Sequence, residues 1–161
     1  MIEVQGNLWD FNGVKCITTN GTIKANGRAV MGRGCALEAS KMFAGIDLLL
    51  GQLIKNKGNQ VFDLSWWPTK WVTDTSGASY PKETQYIISF PVKHQWFEKA
   101  DLDLIAKSAK ELYQLTNTKD FDNINIYLPR PGCGNGKLKW EQVKPLLEPI
   151  LIGDCYRIVT F

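Results

Sequence analysis

The sequence predicts an α/β domain, a mainly parallel or mixed sheet covered by helices on both faces. Three observations carry this. Strand-like apolar runs alternate with one-faced helical runs along the chain, the pattern of strands joined by crossover helices. Two glycine-rich stretches, Gly27-Arg28-Ala29-Val30-Met31-Gly32-Arg33-Gly34 and Pro131-Gly132-Cys133-Gly134-Asn135-Gly136-Lys137, each fall between such a strand and such a helix. The 161 residues, 44% apolar and 22% charged, suit a single domain that buries a proper core.

Strands are expected over 2–4 and 14–18, separated by a turn at Asn12-Gly13. Residues 36–43 and 47–57 carry helical patterns, with Gly58-Asn59 as a stop. The next strands are 61–64 and 86–90. Between them, 65–84 holds Pro68, Gly77 and Pro81 and reads as a hairpin with its tip near 73–78. Apolar residues at Leu102, Ile105, Ala109, Leu112 and Leu115 make 102–115 a one-faced helix. An apolar strand over 124–128 leads into the second glycine loop. Trp140, Val143, Leu146, Leu147 and Ile150 line a further helix, in which Pro145 predicts a kink or a late start. Residues 156–161 close the sheet. No repeat, linker or low-complexity segment divides the chain.

The formal charge of +3 and pI near 8.6 fit an anionic small molecule and are too weak to argue for nucleic acid alone. Six tryptophans are many for this length. Trp66, Trp67, Trp71 and Trp96 fall in the middle third, where they are expected to plug the core, stacking on bases being the alternative. Four separated cysteines (Cys16, Cys35, Cys133, Cys155) and one histidine, His94, leave no zinc set, so no metal is expected. The start of the chain lacks the blocks of a signal peptide. The longest apolar run, 46–53, is short and interrupted by Asp47 and Gln52, so no membrane association is expected. The expected setting is the cytoplasm, with reduced thiols.

Glycine-rich strand-to-helix loops let backbone N–H groups converge on an anion at the positive end of a helix. The first loop nearly matches a nucleotide-binding P-loop, but Arg33 and Gly34 stand where Lys and Ser/Thr are needed, so NTP hydrolysis is unsupported. The second misses the dinucleotide fingerprint by one residue and lies too late in the chain for it. Each alone is equally read as a plain turn. In an open α/β sheet, however, both loops gather beyond the carboxyl ends of the strands. Phe90-Pro91-Val92-Lys93-His94-Gln95-Trp96 would join them there, with Pro91 ending the ladder. The Lys93 amine is either a solvated cation or, with a depressed pKa, a nucleophile. His94 reads as structural or as a proton-transfer partner. Cys35 and Cys133 read as small packing residues, with thiol activation by loop N–H groups as the alternative.

Taken in order, four segments resemble the macro domain family, whose members bind ADP-ribose. They are Gly6-Asn7-Leu8, Val30-Met31-Gly32-Arg33-Gly34-Cys35-Ala36-Leu37, Phe90-Pro91-Val92-Lys93, and Pro129-Arg130-Pro131-Gly132-Cys133-Gly134-Asn135-Gly136-Lys137-Leu138. The likeness spans nearly all of residues 1–161. It is closest to the branch of DarG-type DNA ADP-ribosylglycohydrolases and terminal ADP-ribose protein glycohydrolases. It implies one three-layer α/β/α domain with ADP-ribose across the top of the sheet, as ligand or product rather than cofactor. Asn7 matches the adenine-recognising position, with Leu8 beside it, and Phe161 would pack the adenine. Met31, Gly32, Arg33, Gly34, Cys35 and Ala36 would wrap the phosphates and distal ribose, and Thr19 and Asn20 would approach that ribose. Pro131, Gly132, Cys133, Gly134, Asn135 and Gly136 would cradle the diphosphate.

Lys93 falls on the branch's catalytic lysine. The resemblance implies that its neutral amine attacks the anomeric carbon of the distal ribose, and that water then releases ADP-ribose. Two departures bear on this. Gly136 replaces an Asp that assists the leaving group in the protein-directed enzymes, and an insertion over 22–29, carrying Lys24 and Arg28, precedes the first loop. The partner expected is therefore ADP-ribose or an ADP-ribosylated substrate, a protein or modified DNA. An ADP-ribose-1″-phosphate phosphatase, with the basic insertion holding the extra phosphate, is the alternative enzyme. A non-catalytic ADP-ribose reader and a nucleic-acid module built on the tryptophans are the alternative binders.

Overall fold

The computed structural model describes the backbone of residues 1–161 and the side chains of all but 65–70, 81–84 and 119. Six strands form one sheet in the order β1-β6-β5-β2-β4-β3: β1 Ile2–Gln5, β2 Val14–Asn20, β3 Phe62–Thr73, β4 Ser79–Lys93, β5 Ile126–Pro129 and β6 Tyr156–Thr160. Every pairing is parallel except that of β3 with β4, a hairpin at one edge. The mixed, mainly parallel sheet expected from the alternation is thus present.

Strand alternation builds one core on each face. On one side, Val14, Cys16, Ile88, Phe90, Ile126, Leu128 and Ile158 pack under α3 (Leu102–Thr116) and α4 (Trp140–Leu147). On the other, Ile17, Ile87, Leu64, Tyr127 and Val159 pack under α1 (Gly34–Met42) and α2 (Ile46–Lys57). The result is three layers, α/β/α. The Asp101 carboxylate starts α3 by accepting from the Leu104 N–H at 2.9 Å, and Gly58 ends α2 with a positive φ. Among the described residues, no helix is long and apolar enough to cross a membrane.

Three expectations are corrected. Trp71 and Trp96 do not fill the core; they are 59% and 56% exposed. The hairpin explains Trp71, because β2 covers β4 only from Tyr86 onward, so its outer half has no second neighbour. The side chains of Trp66 and Trp67 lie outside the described residues. Of the kink or late start expected at Pro145, the late start does not occur: α4 begins at Trp140, contains the proline and ends two residues after it. Pro91 does not end the ladder. It lies within β4, two residues past the last pair with β3, while pairing with β2 runs on to Lys93.

Candidate functional site

A cleft of about 970 Å³ opens at the carboxyl ends of β2, β4, β5 and β6, a volume suited to a sizeable small molecule. One wall is Met31 to Ala36, where the chain enters α1, and the facing wall is Gly132 to Lys137. The two are close: a Cβ on Gly34 would stand 3.5 Å from the Asn135 side-chain nitrogen. Thr18, Thr19 and Asn20 form part of the floor, and Thr160 and Phe161 close one end, Phe161 being 80% exposed.

Lys93 enters from the side. The β2–β4 register slips at the strand end: Thr19 pairs with Pro91, whereas Asn20 pairs with Lys93, leaving Val92 as an extra residue. Such a bulge re-aims the side chain that follows it. The Lys93 amine donates to the Asn135 carbonyl at 3.0 Å and reaches the Trp96 carbonyl at 3.5 Å. Partial burial, then the positive charges of Lys137 and Arg33, holds that amine below the ordinary lysine range. The Asn59 amide fixes the Lys93 carbonyl at 2.9 Å. His94 points elsewhere, 3.4 Å from the Asp101 carboxylate and largely exposed.

The floor is pre-set. Asn20 donates to the Val30 carbonyl and accepts from the Thr22 N–H, both at 2.9 Å, so its side chain ties β2 to the first loop. The Thr19 hydroxyl is buried against the cleft and has no hydrogen-bond partner among the described residues, a polar atom that a ligand hydroxyl would satisfy. Cys35 is buried, takes a 3.4 Å bond from the Thr18 N–H, and has its thiol pushed up by burial, so loop N–H groups do not activate it. Burial likewise raises the Cys133 thiol.

Some expected site residues stand apart from the cleft. Leu8 is core, 1% exposed, and Pro131 is buried behind the loop. Asn7 is exposed and uses its side-chain oxygen to cap the 3₁₀ turn Leu8–Asp10, accepting from the Trp9 N–H at 3.0 Å. It lies beside the Phe161 end, since the preceding Gly6 N–H bonds the Thr160 carbonyl. The insertion folds back through an Ile23–Ala29 bridge onto α2: Ala29 donates to the Asp47 carbonyl, and Arg28 pairs with the Asp47 carboxylate at 2.7 Å. Arg28 is therefore committed to α2.

Sequence reasoning placed Lys137 and Trp96 at the crevice only as members of longer runs and did not single out Arg130 or Phe97, all four of which line the cleft. Their place flanking the second loop and just after Lys93 was the available signal. Arg130 is held by Glu3 at 2.8 Å and lies over the Trp140 ring at 5.1 Å; Lys144 also grips Glu3 at 2.8 Å. These contacts, Lys144 first, pull the Glu3 carboxyl down to about 2.

Among known proteins, the chain is 25% identical over 148 residues, 92% of its length, to a protein of Thermus aquaticus described as a DNA ADP-ribosyl glycohydrolase. The chain spans 37% of that relative's length. The macrodomain of Mycobacterium tuberculosis DarG superposes with a TM-score of 0.72 at 22% identity, covering 98% of this chain and 95% of that one. Thermosipho africanus DarTG in complex with ADP-ribose gives 0.73 at 17% identity, covering 98% of this chain and 41% of that one. No family model matches the chain.

Proposed function

From a macrodomain fold whose cleft is walled by both glycine loops, we propose that this protein binds ADP-ribose and removes it from a modified substrate, with Lys93 as nucleophile. The observation that carries the reading is the Lys93 amine, set on the Asn135 carbonyl of the opposite loop and depressed below the ordinary lysine range. A neutral amine there has a lone pair for an electrophilic carbon, and partial burial, then the surrounding cations, favours the neutral form.

The ligand lies with its diphosphate between Gly32–Gly34 and Gly134–Gly136, where Arg33 and Lys137 balance its charge. Thr19 takes a ribose hydroxyl, and the adenine lies toward Phe161 and Asn7. Lys93 nitrogen bonds to the anomeric carbon as the bond to the leaving group breaks. The nitrogen then carries an extra proton, which passes to the departing group. Water adds to the same carbon, expelling the lysine nitrogen and freeing ADP-ribose. Because that relative is named a DNA ADP-ribosyl glycohydrolase, an ADP-ribosylated DNA base is the favoured substrate. The four free cysteines suit a cytoplasmic setting.

Wild type and Lys93→Ala are compared on ADP-ribosylated DNA, ADP-ribosylated protein and ADP-ribose-1″-phosphate, with ADP-ribose binding measured alongside. Loss of release with binding retained is expected, on DNA above all. Equal release by both proteins overturns the nucleophile, and binding without release by either leaves a reader.

A further inference from the structure

We infer that Trp96 and Phe97 form the subsite that receives the group joined to ADP-ribose, stacking on the base of the proposed substrate. The inference rests on the reading that Lys93 addresses the anomeric carbon, since it places the leaving group on the Lys93 side of the cleft. The two rings are 56% and 68% exposed, yet they line the same cleft as Lys93. They meet edge to face, with centroids 5.7 Å apart at 89°. One face of such a pair remains open beside the edge of the other ring, a corner that fits a flat aromatic guest.

The corner is braced. The Trp96 N–H donates to the Thr22 hydroxyl at 3.0 Å, and that hydroxyl donates to the Gln95 side chain at 2.8 Å. The Gln95 N–H donates to the Glu98 carboxylate at 3.0 Å, and the Glu98 N–H returns to the Gln95 carbonyl at 3.2 Å. The Trp96 carbonyl lies 3.5 Å from the Lys93 amine, so the turn that presents the rings also touches the reacting nitrogen. Two large apolar side chains are thus held toward solvent at the mouth of a polar site, with their backbone fixed.

Charge narrows the guest. Arg33 and Lys137 line the same cleft, so the positive field they set for the diphosphate also favours the phosphodiesters flanking a modified base. The acidic side chain on this turn, Glu98, is engaged by the Gln95 N–H. A carboxylate ester on a protein offers no extended π face to the corner, whereas every base does.

Binding is measured at fixed salt in the Lys93→Ala background, where nothing turns over. The probes are ADP-ribose, a single-stranded oligodeoxynucleotide carrying one ADP-ribosylated base, and a peptide ADP-ribosylated on glutamate. The oligonucleotide is expected to bind at least ~5-fold tighter than ADP-ribose. Adding Trp96→Ala and Phe97→Ala is expected to bring that ratio close to one, and Trp96→Phe to keep most of it, while the peptide ratio does not move. An unchanged oligonucleotide ratio in the double variant, or an equal fall for the peptide, overturns the inference. Absence of ADP-ribose binding by the wild-type protein is the separate failure of the underlying reading, and the inference falls with it.

Discussion

Gly132 and Gly136 fold against each other so closely that a Cβ on Gly136 would overlap the Gly132 carbonyl oxygen and stand 2.7 Å from the Ala100 Cβ. The close approach is fixed by two further bonds, Leu138 N–H to the Gly132 carbonyl at 2.9 Å and Ala100 N–H to the Gly136 carbonyl at 3.0 Å. The loop therefore has no room for the acidic side chain that the protein-directed glycohydrolases place here. Gly136→Ala is expected to cost about 1–3 kcal/mol of stability by overpacking. It should also weaken ADP-ribose binding, because the loop must move and the Asn135 carbonyl with it. Thermal unfolding and calorimetric titration check both; a stable variant with wild-type affinity would contradict the geometry.

Two residues earlier the loop is open. Among the described residues a Cβ on Gly134 meets nothing within 4 Å, and Gly134 faces the cleft. Gly134→Val is expected to fold with Tm within about 4 °C of wild type. It should lose at least ~10-fold in ADP-ribose affinity by filling the phosphate space. The contrast with Gly136→Ala separates a glycine needed for the fold from one needed for the ligand.

The Lys93 amine must be neutral to react, so release is expected to rise with pH and to level off below the ordinary lysine range, where its lowered pKa lies. Lys137 is one of the two cations holding that pKa down, and its φ of 62° suits asparagine. Lys137→Asn should move the rise in kcat to higher pH, because removing a positive neighbour favours the charged amine. A pH–kcat profile of both proteins tests this, and coincident profiles would refute it.

Lys15 carries a consequence for stability alone. It is 2% exposed on β2, its amine donates to the Gly13 carbonyl at 3.1 Å, and burial lowers its pKa to about 8. Between about 8 and the unfolded value of 10.5 the unfolded chain binds the extra proton, so stability should increase as pH rises through that window. Lys15→Met should remove this dependence and stabilise the protein at pH 7 by on the order of 1–3 kcal/mol. Urea unfolding at pH 7 and pH 10 reads both effects.

Much of this was legible from periodicity and glycine placement. The 102–115 stripe, the strand into Pro129 and the alternation of elements reflect local burial patterns, which sequence records directly. That Lys93 comes to the crevice was legible from its place after the 86–90 strand, and its catalytic role only through the resemblance; its aim was not, because a register slip between strands distant in sequence leaves no local mark. The exposure of Trp71 has a similar cause. An indole's burial depends on whether a neighbouring strand reaches it, and β2 stops short of Trp71. Arg28 seemed free as a charge in a loop, since its partner Asp47 lies 19 residues on, at the head of α2.

The strand order has a consequence for when this cleft comes into being. β6, the last strand in chain order, lies between β1 and β5, pairing Glu3 with Ile158 and Leu128 with the same residue. Until it inserts, β1 has no partner, the Phe161 end of the cleft has no wall, and Arg130 lacks the Glu3 carboxylate that steadies it. Such a late, long-range closure is slow relative to local structure. During synthesis, then, competence to grip a nucleotide ligand should switch on abruptly with the final strand rather than accumulate loop by loop.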